Sequence, residues 1–243
     1  MVRALSWIGV FGAAAAIVVV LGLDATLGGQ SVRGRQLRGA TISEYAYTSG
    51  SWAFVAAVLT LAGTSLALLY GLIRAGRVRP WSAGSVAMLL WVVALLAIVA
   101  FPKHNWVTGP SLSGTVHRYA TLVAFVALPV AVLLIARGSA GAARAARWLT
   151  AIGIGWLAVL FGAIAVGIVT GQRWWTLIPL GLVERGIAGF EVAALIALGL
   201  WLMRLRAPAC REGHTPATNA LRAAAGSAAP GPDPGRRDRG PVP

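Results

Sequence analysis

Six long apolar stretches, separated by short polar links, dominate this chain of 243 residues. An α-helix needs about 20 residues to cross about 30 Å of hydrocarbon, and each stretch comes close to that length. The stretches cover residues 4–23, 51–73, 83–101, 116–136, 148–169 and 185–203. Their number and spacing predict an all-α fold, a polytopic transmembrane bundle of six helices.

The overall composition agrees with one membrane domain and leaves no room for a separate soluble one. Hydrophobic residues make up 58% of the chain, charged residues only 12%, and the mean hydropathy is +0.75. A soluble domain carries about a quarter charged residues. We therefore predict a transmembrane domain over residues 1–206. Residues 207–243 are rich in Pro, Gly, Ala and Arg and are predicted to form a disordered tail.

The net charge of +14 would point to nucleic acid in a soluble chain. In a membrane chain, arginines cluster in the links because they fix the topology, so no nucleic-acid partner is predicted. Placing the N-terminus in the cytoplasm puts 14 basic residues inside and 7 outside. Both termini are therefore predicted to be cytoplasmic. Tryptophans at the span ends support these boundaries, with Trp7, Trp81, Trp148 and Trp201 at the inner interface, whereas Trp91 and Trp156 fall mid-span and are predicted to pack inside.

Residue usage gives an expectation about source and compartment. Arginine outnumbers lysine 20 to 1, which is typical of a high-GC bacterial genome, so we expect a bacterial cytoplasmic membrane protein. The first span lacks an A-x-A-like cleavage site and is predicted to stay as an anchor. Cys210 is the single cysteine, which excludes an internal disulfide or a thiolate metal site.

The acidic and titratable residues of the spans and links gather on the predicted outer side. They are Asp24, Glu44, His104, His117, Glu184 and Glu191. No His, Asp and Glu set among them has the spacing of metal ligands, and bis-histidine haem ligation is not supported, so no metal and no cofactor are predicted. Any binding or chemistry is expected at this end of the bundle.

Glu191 is the most informative of these residues. It lies ten residues before Trp201, about 15 Å along a helix, and so near the middle of the bilayer. A carboxylate there costs several kcal/mol unless it is paired or protonated, which marks it as a candidate functional group. The alternative is a protonated acid that bonds a neighbouring helix.

Glu184 and Arg185 open the sixth span, and two interpretations stay open for them. One is an ion pair at the interface that stabilises the helix start, because acids are favoured at a helix N-terminus. In the other, Arg185 binds the phosphate or carboxylate of a headgroup.

Two further outer positions are candidates. His117, followed by Arg118, opens the fourth span, where it is either a general base, a proton-linked switch or a simple hydrogen-bonding anchor. Glu44 precedes the second span, with Ser43 as its predicted N-cap. Arg33, Arg35 and Arg38 in the same loop oppose the positive-inside tendency; they attract either anionic headgroups or an acidic partner, or belong to a plain solvated loop.

Several short motifs, in order, resemble the prokaryotic six-helix family catalogued as domain of unknown function 998. They are residues 42–44 (Ile-Ser-Glu) before the second span, 101–102 (Phe-Pro) after the third, His117 opening the fourth and 181–185 (Gly-Leu-Val-Glu-Arg) opening the sixth. The resemblance covers residues from about 5 to 205. It implies an integral membrane protein of six helices, with recurring polar motifs at Glu44, His117, Glu184 and Arg185, and it implies no activity.

Three functions fit these observations. The first is a carrier or accessory protein that binds a lipid headgroup or small amphiphile in an outer-side pocket formed by Glu44, His117, Arg118, Glu184, Arg185 and Glu191. The second is an intramembrane lipid-directed enzyme that uses a carboxylate and His117, although no catalytic motif supports it. The third is a scaffold subunit whose polar groups only pair helices.

Overall fold

The computed structural model describes residues 1–32, 35–104 and 109–205. It contains six helices long and apolar enough to cross a membrane: α1 (Val2–Leu27), α2 (Ser51–Arg74), α3 (Ala83–Ala100), α4 (Leu112–Ile135), α5 (Ala142–Thr170) and α6 (Leu180–Arg204). The all-α prediction is confirmed. The predicted tail lies outside the described residues, as do Arg33 and residues 105–108.

The link between α1 and α2 has structure of its own. Two-residue strands, Ser31–Val32 and Arg35–Gln36, pair antiparallel. Two 3-10 helices follow, Leu37–Gly39 and Ile42–Tyr47. We call residues 37–47 the 37–47 segment. It packs on α1, α2 and α6 at the end of the bundle where α1 ends and α6 begins; we call this end the polar end, and the other the arginine end.

Three details of the helix starts differ from the sequence predictions. Ser43 does not cap α2, because it lies inside the second 3-10 helix and α2 begins at Ser51 after Gly50. α6 begins at Leu180, five residues before the predicted start. α4 begins at Leu112 with Ser111 as its N-cap, whose side chain accepts from the Gly114 N–H. Helices α4 and α6 thus begin earlier than their apolar runs alone predict, whereas α2 begins at the predicted residue and differs only in its N-cap.

Helix α6 is the central element of the bundle. Helices α1 to α5 pack each against the next in sequence, whereas α6 contacts α1, α2, α4 and α5. In its most apolar 18-residue window 56% of residues are buried, against 22% for α1. The buried side chains of α6 are therefore well placed to contact several other helices.

Small residues let the helices approach closely, as expected in lipid, where tight packing replaces the hydrophobic drive. A Cβ added to Gly199 of α6 would lie 2.7 Å from Val10 of α1, and one added to Gly186 would lie 2.6 Å from the Trp156 ring of α5.

The tryptophan predictions have mixed outcomes. Trp91 is buried and donates from Nε1 to Ser65 Oγ at 2.9 Å, which confirms a packing role. The prediction that Trp201 faces the interface is wrong, because its side chain is buried and the Arg77 guanidinium lies 5.2 Å from its ring centroid.

The start of α6 is packed directly against backbone, which gives a stability prediction. A Cβ on Gly181 would lie 2.4 Å from the Ala40 carbonyl oxygen and 2.5 Å from that of Gly39. We expect Gly181→Ala to lower the free energy of unfolding by about 1–3 kcal/mol, since backbone yields less readily than a side chain. Gly189→Ala on the same helix is the control, because nothing lies within 4 Å of its Cβ position; it should be neutral or stabilising by up to about 1 kcal/mol. Reversible unfolding in mixed micelles measures both, and equal effects would contradict the close contact.

Candidate functional site

The guanidinium of Arg185 joins the first and last helices at the polar end. Its Nε donates to Asp24 Oδ2 at 3.0 Å and its Nη2 donates to Asp24 Oδ1 at 2.7 Å. This is the two-pronged geometry in which a planar guanidinium matches a carboxylate. Asp24 lies in the last turn of α1 and Arg185 in the second turn of α6. Of the two interpretations left open for Glu184 and Arg185, the first expected an ion pair between these neighbours, whereas the structure pairs Arg185 with Asp24 of α1.

The remaining N–H groups of Arg185 donate to main-chain carbonyls. Nη1 donates to Ala40 O at 2.7 Å and Gly181 O at 3.0 Å, and Nη2 donates to Leu37 O at 3.3 Å. A guanidinium has five N–H donors, so this set uses all of them. Arg185 thereby fastens the 37–47 segment to α6, and it can bind an external anion only by breaking a bond it already makes.

Tyr45 completes this cluster from the 37–47 segment. Its side chain is fully buried, and its hydroxyl donates to Asp24 Oδ1. Burial, helped by the hydrogen bond to the Asp24 carboxylate, raises the pKa of Tyr45 to about 12. The hydroxyl therefore remains a neutral donor at any physiological pH, which suits a permanent structural contact.

A second set of contacts joins the same segment to the residues just after α3 and to α6. Lys103 Nζ donates to Glu44 Oε1 at 2.7 Å and to Thr41 Oγ1 at 2.6 Å. The Tyr47 hydroxyl donates to the Lys103 carbonyl oxygen. Glu184 Oε2 accepts from the Ile42 N–H at 2.9 Å. Lysine 103 is the single lysine of the chain, and it acts here as a crosslink between loops.

The two histidines of this end hold the α3–α4 link. The Ser111 N–H donates to His104 Nδ1 at 2.9 Å, and a Cβ on Gly114 would lie 2.2 Å from that nitrogen. His117 Nδ1 lies 2.9 Å from the Phe101 carbonyl oxygen. Both histidines are buried. Their contacts are those of anchors between the end of α3 and the start of α4.

The six predicted site residues fall into three groups. Glu44, Glu184 and Arg185 meet around the 37–47 segment, where Glu184 lies within electrostatic range of Lys103, Arg185 and Glu44. His117 is buried against the end of α3, and Arg118 beside it is exposed. Glu191 stands apart, seven residues and about 10 Å further along α6 than Glu184.

Sequence reasoning missed three partners. Asp24, Tyr45 and Lys103 were not proposed as site residues, although Asp24 and Lys103 carry most of the ion pairing. The sequence did contain a signal for two of them, because Asp24 is the single acidic residue of α1 and Lys103 is the single lysine of the chain.

Glu191 differs from every other acid that the structure describes. Its side chain is 3% exposed, and neither Oε1 nor Oε2 has a hydrogen-bond partner among the described residues. It lies eleven residues after Leu180 and thirteen before Arg204, midway along α6. Ile187 and Leu195, one turn to either side of it, are buried in two different apolar clusters.

Helix α4 contributes a second polar group at similar depth. Pro129 lies inside the helix and has no N–H, so the carbonyl oxygen of Phe125 loses its usual partner. The Phe125 side chain packs against the apolar cluster that contains Ile187 of α6 and Leu157 of α5. Helices α4, α5 and α6 therefore meet at this apolar cluster, whose Ile187 lies one turn before Glu191 on α6.

Two open surface grooves occur in the described part of the chain, and neither is lined by the predicted site residues. One, of about 510 Å³, lies between α1 and α2 and is lined by Trp7, Ile8, Phe11, Gly12, Thr60, Gly63 and Thr64. The other, of about 390 Å³, is lined by Arg144, Arg147 and Trp148 at the arginine end. No group of three His, Cys, Asp or Glu side chains placed to hold a metal ion occurs in the described part of the chain.

The Asp24–Arg185 pair gives a second stability prediction. Both side chains are about four-fifths buried, so Asp24→Asn would leave the guanidinium poorly compensated and should cost about 2–3 kcal/mol of unfolding free energy. Tyr45→Phe removes one hydrogen bond without stranding a charge and should cost about 1 kcal/mol. Unfolding in mixed micelles ranks the two variants. The reverse order, or an Asp24→Asn variant as stable as the parent, would contradict the assigned role of Arg185.

Glu191 gives a prediction of opposite sign. An unpartnered buried carboxyl is costly, so Glu191→Leu should raise the free energy of unfolding by about 1–3 kcal/mol. If the carboxyl instead bonds a neighbouring helix, the same substitution would destabilise the protein. Measuring unfolding of the delipidated protein distinguishes the two cases.

Comparison with known proteins adds a family and no activity. No curated protein and no solved structure matches the chain. A family model described as "Protein of unknown function (DUF998)" matches residues 13–201, which include all six helices in whole or in large part. This chain, a multi-pass membrane protein with its polar network at one end, therefore belongs to the DUF998 family.

Proposed function

We propose that this protein binds a small amphiphile or lipid whose headgroup carries hydrogen-bond donors, and that Glu191 accepts those donors inside the bundle. One observation carries the proposal: both oxygens of a carboxyl that is 3% exposed, midway along a membrane-spanning helix, have no hydrogen-bond partner among the described residues. A carboxyl in hydrocarbon costs several kcal/mol unless something pairs with it. A donor-bearing ligand would supply that partner.

The depth of Glu191 supports an amphiphile as the ligand class. A molecule that reaches the middle of the bilayer must have an apolar body, and one that Glu191 retains must have a hydroxyl or amine. The Phe125 carbonyl of α4, which loses its usual helical partner at Pro129, would offer a second acceptor. The interface between α4 and α5 is the smallest between helices adjacent in sequence, which favours entry between these two helices from the lipid.

The polar end acts as the scaffold in this proposal. The bonds of Arg185 to Asp24, Leu37 and Ala40 fix α6 against α1 and the 37–47 segment. A headgroup site built on Arg185 has less support, because its donors are already engaged. Glu44, Glu184 and His117 position the loops, and Arg118 is exposed where a headgroup would pass.

We also propose that the protein spans a bacterial cytoplasmic membrane with both termini inside. The arginine end would then face the cytoplasm, which agrees with the positive-inside tendency. The described acids, Asp24, Glu44, Glu184 and Glu191, lie at the polar end or mid-membrane.

Lipid retention tests the proposed function. The full chain is purified in a neutral detergent, and retained molecules are identified by native mass spectrometry and extraction. We expect the parent to retain a specific donor-bearing amphiphile, Glu191→Leu to lose it, and Glu191→Gln to retain part of it, since the amide keeps one of the two acceptor oxygens.

Thr150→Val is the matched control for this experiment. Thr150 is a buried polar residue whose hydroxyl donates to Ala146 O at 2.9 Å, so its hydroxyl proton is hydrogen-bonded within α5. The control should retain the amphiphile like the parent. If Glu191→Leu also retains it, or if the parent retains none, the proposed function is wrong and a scaffold role is favoured.

A further inference from the structure

A second feature of the molecule, at the opposite end of the bundle from the polar network, is a basic groove with an aromatic wall. Arg144, Arg147 and Trp148 line about 390 Å³ at the start of α5. Arg144 and Arg147 are three residues apart and Trp148 follows, so the three share one side of the helix. Trp148 is 68% exposed.

The length of α5 places this groove at the level of the lipid headgroups. The helix has 29 residues, or about 44 Å, and therefore exceeds the hydrocarbon thickness of about 30 Å. Its apolar run begins at Trp148, which leaves the turns that carry Arg144 and Arg147 outside the hydrocarbon. Exposed tryptophan at this depth is typical of the boundary between acyl chains and headgroups.

The electrostatics of the groove favour an anion. The first turn of α5 contains no acidic residue, and none lies in the described links at the arginine end, 75–82 and 136–141. Arg147 is oriented by its Nη2, which donates to Ser139 O at 3.2 Å. The guanidinium groups of Arg144 and Arg147 thus concentrate positive charge, and none of the described residues of α5's first turn or of these two links places a carboxylate beside them.

We infer that this groove is a binding site for the phosphate headgroup of an anionic phospholipid. The two guanidinium groups would contact the phosphate oxygens, which suit their planar donor geometry, and Trp148 would pack against the glycerol region and upper acyl chain. This site is separate from Glu191 and does not depend on the amphiphile proposed above.

Competition between lipids tests this inference. The delipidated full chain in neutral detergent is titrated with phosphatidylglycerol, with phosphatidylcholine and with inorganic phosphate, and bound lipid is counted by native mass spectrometry. We expect phosphatidylglycerol to bind at least about tenfold more tightly than phosphatidylcholine. Arg144→Gln combined with Arg147→Gln should reduce that affinity by about 10- to 30-fold, because each arginine near a headgroup contributes a step of about three- to fivefold.

The control removes the same charge at the same end. Arg74→Gln combined with Arg79→Gln changes the last residue of α2 and the link between α2 and α3, and should alter the affinity less than about twofold. Arg144→Gln alone keeps the test valid if the double variant misfolds, because this side chain is exposed; it should lower the affinity by several-fold. An equal loss in the control would show a general charge effect and overturn the site. Equal binding of both lipids, or displacement of the lipid by phosphate at matched concentration, would overturn it as well.

Discussion

Hydrocarbon offers no hydrogen-bond partner, and this constraint decides where the polar groups of the bundle lie. At the described polar end, the guanidinium of Arg185 donates more of the hydrogen bonds that pair these polar groups than any other side chain does. Arg185 donates to the Asp24 carboxylate of α1 and to the Leu37 and Ala40 carbonyls of the 37–47 segment. The Tyr45 hydroxyl also donates to Asp24. An irregular link of the chain is thereby held against the ends of membrane helices, with the carbonyls of Leu37 and Ala40 paired. The position of α6 at the centre of the bundle follows from this fastening and from the glycines that let it approach its neighbours.

The same constraint distinguishes two kinds of polar residue on α6, those bonded within the described part of the protein and one that is not. Glu184 and Arg185 are bonded within the protein, and their chemistry is accounted for by holding loops and helices together. Glu191, on the same helix, has a carboxyl for which the described residues provide no bond. Stability alone would favour an apolar side chain there, and the ligand that we propose would supply the missing partner.

The sequence predicted the parts of the fold that depend on local chemistry. The length and apolar character of each stretch suffice to define six spans, because the bilayer thickness sets one helix length for all of them. The rise per residue also placed Glu191 near mid-bilayer, and the structure buries it midway along α6. Helix starts were harder, since Ser43 resembles an N-cap in isolation but belongs to a 3-10 helix that packs on α6.

Partners distant in sequence could not be predicted. Asp24 and Arg185 are 161 residues apart, and Glu184 bonds a backbone N–H 142 residues away. The adjacent Glu184 offered Arg185 a local partner in the sequence, so its ion pair with the distant Asp24 was not predicted. The same holds for Lys103, whose contacts with Glu44 and Thr41 depend on how two loops fold back over the bundle.

The central claim is that the carboxyl of Glu191 bonds a ligand directly, and infrared difference spectroscopy tests it most closely. Spectra of the delipidated full chain are recorded before and after the amphiphile that co-purifies with the parent is added back, at constant pH. We predict a shift in a carboxyl stretching band that is present in the parent and in Thr150→Val and absent in Glu191→Gln. An unchanged carboxyl region in the parent, or the same shift in Glu191→Gln, would contradict the claim.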